Sequence, residues 1–168
     1  MSFQISNASQ KSLSTLMVIW FTMVSALFVY VLVCYMLLSQ GGINVLYSPE
    51  ILRSTFFLNL NLLVWAYLFA GVVLGVGIVH FKSAYAKMVK EILAQTFESK
   101  EEEFNTFKTR YVTLMFVHLA LFESIAILGI VVFLTTGDFT TMVNLTLFAL
   151  AGFLVVVPSR AKFTSLKG

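Results

Sequence analysis

The chain alternates long apolar runs with short polar breaks. Four runs stand out, at about Leu13–Leu38, Phe56–Phe81, Tyr111–Leu134 and Phe139–Val157. Each has ~19–26 residues, and a helix needs ~20 to cross a bilayer, more if it tilts. The pattern therefore predicts an all-α fold, a four-helix transmembrane bundle occupying residues 1–168 as a single domain. Turn formers mark two of the breaks: Gly41, Gly42 and Pro49 after the first run, and Thr135-Thr136-Gly137-Asp138 after the third. Pro158 closes the fourth run.

The break between the second and third runs has a different pattern. Tyr85, Met88, Val89, Ile92, Leu93 and Phe97 recur at helical spacing on one face. Ser99 with Glu102 has the form of a capping box. Glu101, Glu102 and Glu103 then suit the positive end of a new helix. Residues 82–110 thus read as a helical hairpin that extends the second and third membrane helices. It would pack on itself or a neighbouring subunit, or dock a separate cytoplasmic partner.

Charge orients these elements. Lys82, Lys87, Lys90, Lys100, Lys108 and Arg110 crowd the middle connection. Lys11 precedes the first run, and Arg160, Lys162 and Lys167 follow the fourth. The other two connections hold only Arg53 as a basic residue. The excess of Lys and Arg in cytoplasmic loops then predicts both termini and residues 82–110 in the cytoplasm. The expected location is the inner, or plasma, membrane.

Composition agrees with the pattern: 59% hydrophobic and 11% charged residues, against ~25% charged in an ordinary soluble domain. The first run is too long for the ~7–15 residue core of a signal peptide, so no cleaved leader is expected. Cys34 is the single cysteine. It has no partner for an intramolecular disulfide and reads as a small apolar side chain. No metal site and no cofactor are expected, and nothing points to nucleic acid. There is no phosphate-binding glycine loop and no His-Glu-x-x-His motif. The chain is expected not to be an enzyme.

The residue that breaks the pattern most is Glu123, in the middle of the third apolar run. A charge at that depth costs roughly 2.5–3.5 kcal/mol even on the lenient insertion scale. Glu123 is thus a candidate proton or cation carrier, or a protonated carboxyl that hydrogen-bonds between helices. No Lys or Arg lies within the membrane runs to pair with it. A short internal repeat aligns helix one with helix three, and Ser25 then falls opposite Glu123 as a second candidate. The same repeat puts Gly71 and Gly152 at that level. Gly71, Gly75, Gly77 and Gly152 are candidate helix-packing residues, since small side chains let membrane helices approach. Asn61, Asn144 and His118 are candidate interhelical polar groups. His118 should lie ~12 Å inside the membrane, counted from Arg110 at ~1.5 Å per residue. His80 should lie near the surface at the end of the second helix. That difference in depth argues against the two histidines holding a haem.

The stretch Leu119-Ala120-Leu121-Phe122-Glu123-Ser124-Ile125-Ala126-Ile127-Leu128-Gly129-Ile130-Val131 resembles the carboxylate helix of rotary-ATPase ring proteolipids, the c or K subunits. The glycine-bearing helix from Gly71 to Gly77 is similar in kind to the one that precedes it in that family. The resemblance covers about two helices. It implies that Glu123 is the ion-binding carboxylate and that the protein forms a homo-oligomer.

The resulting expectation is a non-enzymatic, proteolipid-like membrane subunit of a larger complex, in contact with the lipid bilayer. It is either a homo-oligomer or part of a hetero-oligomer, and Glu123 binds or relays a proton or cation. The alternative is a structural or assembly subunit of an envelope machine for secretion, lipid transport or motility, with Glu123 as interhelical glue.

Overall fold

The structure, a computed structural model, describes residues 7–42, 44–159 and 162, with side chains from Lys11 onward. Arg160 and Lys167, used above for orientation, lie outside the described residues. Four helices run α1 Asn7–Ser39, α2 Leu62–Ala94, α3 Lys100–Thr136 and α4 Phe139–Val155. Three are long and apolar enough to cross a membrane: Lys11–Ser39 of α1, and the whole of α2 and α3. α4 has 17 residues, the lower edge of spanning length. The architecture is that of a multi-pass helical membrane protein.

Local chemistry sets the helix ends. Asn61 starts α2 by accepting a hydrogen bond from the Val64 amide at 2.9 Å. Ser99 does the same for α3, accepting from the Glu102 amide at 3.2 Å. Gly137 ends α3 in the left-handed region at φ 74°, and its amide donates to Phe133 O at 2.7 Å. Asp138 then starts α4, accepting from the Thr141 amide at 3.0 Å and the Thr141 hydroxyl at 2.8 Å.

The second apolar run divides differently from its hydropathy. Residues 56–61 do not join the helix. Strands β1 (Thr55–Phe57) and β2 (Leu60–Asn61) pair antiparallel around Leu58 and Asn59, which have φ 52° and 57°. Asn is tolerant of that region, and Asn61 is committed to the cap, so helix begins only at Leu62. At the other end α2 continues to Ala94. Its 33 residues span ~50 Å at ~1.5 Å each, well beyond a ~30 Å hydrocarbon layer. α3 runs antiparallel to it after residues 95–99. Arg110 meets Glu91 at 3.0 Å, and the rings of Tyr111 and Tyr85 lie 6.2 Å apart.

α3 is the central element. Of its most apolar stretch 44% is buried, against 17% in α1 and 11% in α2. Phe107, Tyr111, Met115, His118, Phe122, Ile125, Gly129 and Phe133 form its buried stripe, at spacings of three and four. In lipid, close packing and interhelical hydrogen bonds hold such helices together, because lipid tails are as apolar as the side chains. Phe122 illustrates the fit. Its ring lies between Gly77 of α2 and Gly152 of α4, and a Cβ on either glycine would collide with it. Gly129 lets α4 approach, with Met142 O only 3.1 Å from where a Cβ would stand.

Two of the expected packing glycines are not in this core. A Cβ at Gly71 or Gly75 would meet nothing within 4 Å. Both face outward, so they meet no other helix among the described residues. The residue level with Gly152 is Gly77, not Gly71, because both touch the same Phe122 ring.

Candidate functional site

Two titratable side chains of α3, Glu123 and His118, each meet a different helix. Glu123 meets α1: the Tyr30 hydroxyl donates to its Oε1 at 2.7 Å. Both residues are half-buried. The described residues show two ion pairs, Lys87–Glu91 and Arg110–Glu91, and neither involves Glu123. No buried side-chain oxygen among the described residues lacks a partner. Glu123 Oε2 has no hydrogen bond, so it reaches the surface of the bundle. The carboxylate thus has one oxygen bonded to Tyr30 and the other without a hydrogen bond among the described residues.

Ser25 does not share this site. Its hydroxyl donates to Phe21 O of its own helix at 2.9 Å. The repeat alignment had placed Ser25 level with Glu123. Tyr30 is five residues further along α1, ~7.5 Å at ~1.5 Å per residue. The signal for Tyr30 is a phenol in an apolar run, but Tyr35 in the same run carries the same signal and is 57% exposed.

His118 meets α2. Its Nδ1 lies 2.7 Å from Leu114 O and its Nε2 lies 3.0 Å from His80 Nδ1. A carbonyl only accepts, so His118 carries its proton on Nδ1 and presents a lone pair on Nε2. His80 Nδ1–H is therefore the donor. The ring centroids are 5.1 Å apart, about the nitrogen separation plus one ring radius at each end. With the planes 19° apart, the nitrogens face each other end-on.

This corrects the expected separation of the two histidines. Arg110 is level with Glu91, which lies eleven residues beyond His80 along α2. Counting depth from Arg110 therefore placed His118 too far from His80. The pair still does not suit a bis-imidazole haem. An iron between the nitrogens would need ~4 Å, at ~2.0 Å per metal–nitrogen bond. No group of three or more metal-ligating side chains occurs among the described residues.

Other polar side chains join helices, end them or, as at Thr22, Thr113 and Thr146, bond back to their own helix. Asn144 Nδ2 of α4 donates to the Tyr67 hydroxyl of α2 at 3.0 Å. The Trp20 indole of α1 donates to Phe153 O of α4 at 2.9 Å. Asn61, expected between helices, instead caps α2 as described. Beyond the end of α4, Lys162 Nζ donates to Val155 O at 3.0 Å and Val157 O at 2.8 Å, and lies 5.1 Å from the centre of the Phe81 ring. Burial pushes its pKa down to about 8.

No protein-family model, curated protein or solved structure matches the chain. The likeness to ring proteolipids is corrected by the fold. Those subunits are two-helix hairpins, whereas this chain has four helices, three of them long and apolar. Its carboxylate helix is the centre of the bundle and contacts α1, α2 and α4. The glycine face that carried the likeness points away from that helix at Gly71 and Gly75.

Proposed function

We propose that the chain is a non-enzymatic, multi-pass subunit of a larger membrane assembly, in which Glu123 takes up and releases a proton or cation. The observation that carries this reading is the divided carboxylate: Tyr30 holds Oε1, and Oε2 has no hydrogen-bond partner among the described residues. An ionisable group on a membrane helix is a functional candidate by default. With no basic residue paired to it, its charge is met by a proton, a cation or a group on another subunit. The outward Gly71 and Gly75 leave α2 open to a second copy, since small residues four apart favour close helix contact. The lysines of residues 82–110 orient this antiparallel extension and both termini toward the cytoplasm of the plasma membrane.

A carbodiimide that modifies protonated carboxyls in lipid tests the reading. Glu123 is expected to label, with protection by Na⁺ or by raised pH. Glu123→Gln is expected to abolish labelling and proton or cation flux in proteoliposomes. If flux and assembly both survive that substitution, Glu123 is not an ion carrier. The structural alternative has its own support, because Tyr30–Glu123 ties α1 to α3. On that reading Glu123→Gln breaks up the assembly, seen by native mass measurement, and leaves flux unchanged.

A further inference from the structure

We propose that the tip of the β1–β2 turn, Phe56 to Leu58, inserts into the lipid interface at the end of the bundle where α2 begins. No charged residue separates Arg53 from Lys82. Helix occupies this run only from Leu62, and Leu62–Phe81 already fills ~30 Å at ~1.5 Å per residue, the thickness of the hydrocarbon layer. The turn therefore sits at headgroup level, where a water-facing loop is ordinarily polar. Instead Phe56 is 75% exposed and Leu58 69%, more than the outward-facing Leu68 (46%) and Phe69 (52%) of α2.

The turn is built to keep these side chains out. Leu58 holds a left-handed φ of 52°, a conformation that its side chain disfavours and that Asn or Gly would adopt readily. Phe57, 58% exposed, also lies 5.8 Å from the Trp65 ring, and the Trp65 indole donates to Phe57 O at 3.2 Å. Trp is the residue type most at home in the interfacial belt. The strand pairing Thr55↔Asn61 and Phe57↔Leu60 satisfies backbone groups that the interface would otherwise leave unpaired. Exposed apolar residues continue along the chain from the tip into α2, through Leu62 and Val64 to Leu68 and Phe69. That continuity selects the bilayer, rather than a soluble partner, as what covers it. The inference does not depend on the role of Glu123.

The test uses the full chain in phosphatidylcholine vesicles. Cys34→Ser gives a cysteine-free background, into which Leu58→Cys, Phe56→Cys or a control Glu50→Cys is introduced and labelled with an environment-sensitive fluorophore. A shallow nitroxide on the lipid is expected to remove most of the fluorescence at positions 58 and 56, and aqueous iodide little. At position 50 the order reverses. Iodide quenching at 58 and 56 equal to that at 50 would overturn the insertion. So would protection from both quenchers, which places a protein surface over the tip.

Discussion

Two polar pairs on α3 invite comparison. His118 is 1% exposed and has both ring nitrogens bonded, one to its own backbone and one to His80. Glu123 is half-buried and has one oxygen bonded and one not. The His118 ring is saturated: both its nitrogens are bonded, and it is packed against Phe81 and Phe122 at centroid distances of 5.2 and 6.3 Å. The second retains an acceptor at the bundle surface. Satisfied buried polar groups mainly fix a structure, and groups left with capacity are available for chemistry. The comparison sets a packed, fully bonded His118 against a partly bonded Glu123, to which the proposed function gives exchange, although both are titratable residues on the same helix.

The largest effect should come from emptying the saturated site. His118→Ala removes a buried ring and leaves a cavity between Phe81 and Phe122, and is expected to cost about 3 kcal/mol of unfolding free energy. His80→Ala should cost less, about 1–2 kcal/mol, because it opens no buried cavity but leaves His118 Nε2 without its partner. Denaturant titration in detergent micelles reads both. Equal losses would mean that the hydrogen bond, not the packed ring, holds α2 to α3.

Tyr30→Phe should matter less for stability and more for the carboxylate. Interhelical hydrogen bonds in membranes contribute about 0.6 kcal/mol on average and about 1.7 at most, so the same titration should show a loss in that range. Glu123 then has neither oxygen held, and its carbodiimide labelling rate should change while that of the exposed Glu91 does not. A stability loss as large as that of His118→Ala, with unchanged labelling, would place both pairs in one structural class.

The coarse fold was legible because hydropathy reports what lipid demands: long apolar helices with satisfied backbones. Capping residues were legible where side chain and amide are neighbours in sequence, as at Ser99–Glu102. Polar contacts across helices were not, because they depend on the relative height of two helices. Placing Ser25 instead of Tyr30 beside Glu123 was an error of five residues. Separating His80 from His118 came from measuring depth at Arg110, whose level is set by its long-range contact with Glu91. The glycines divide for a related reason. Gly71 and Gly75 share a spacing rule with many packing motifs, but only the rotation of α2 decides that Gly77 faces Phe122.

The smallest expected effect sits beside the histidine pair. Lys162 lies over Phe81, which in turn packs edge-on against His118, so this end of the bundle carries a partly buried cation. Its pKa falls from an ordinary 10.5 to about 8 on folding, because burial disfavours the ammonium. Between those values the unfolded chain binds more protons than the folded one. Stability should therefore rise as pH climbs from about 8 to 10.5, and the contribution should be flat below about 8. Lys162 is only partly buried, and solvent screening of its open side should hold the rise well below what the full shift implies. Lys162→Met keeps the apolar stem over Phe81 and removes the titration. Its stability should lose this rise between pH 8 and 10.5 and exceed the parent's most at the acid end of the window. A parent whose stability falls over the same range, with the fall abolished in Lys162→Met, would show instead that the ammonium is net stabilising. Charge at the histidine end would then support the fold, as packing does there.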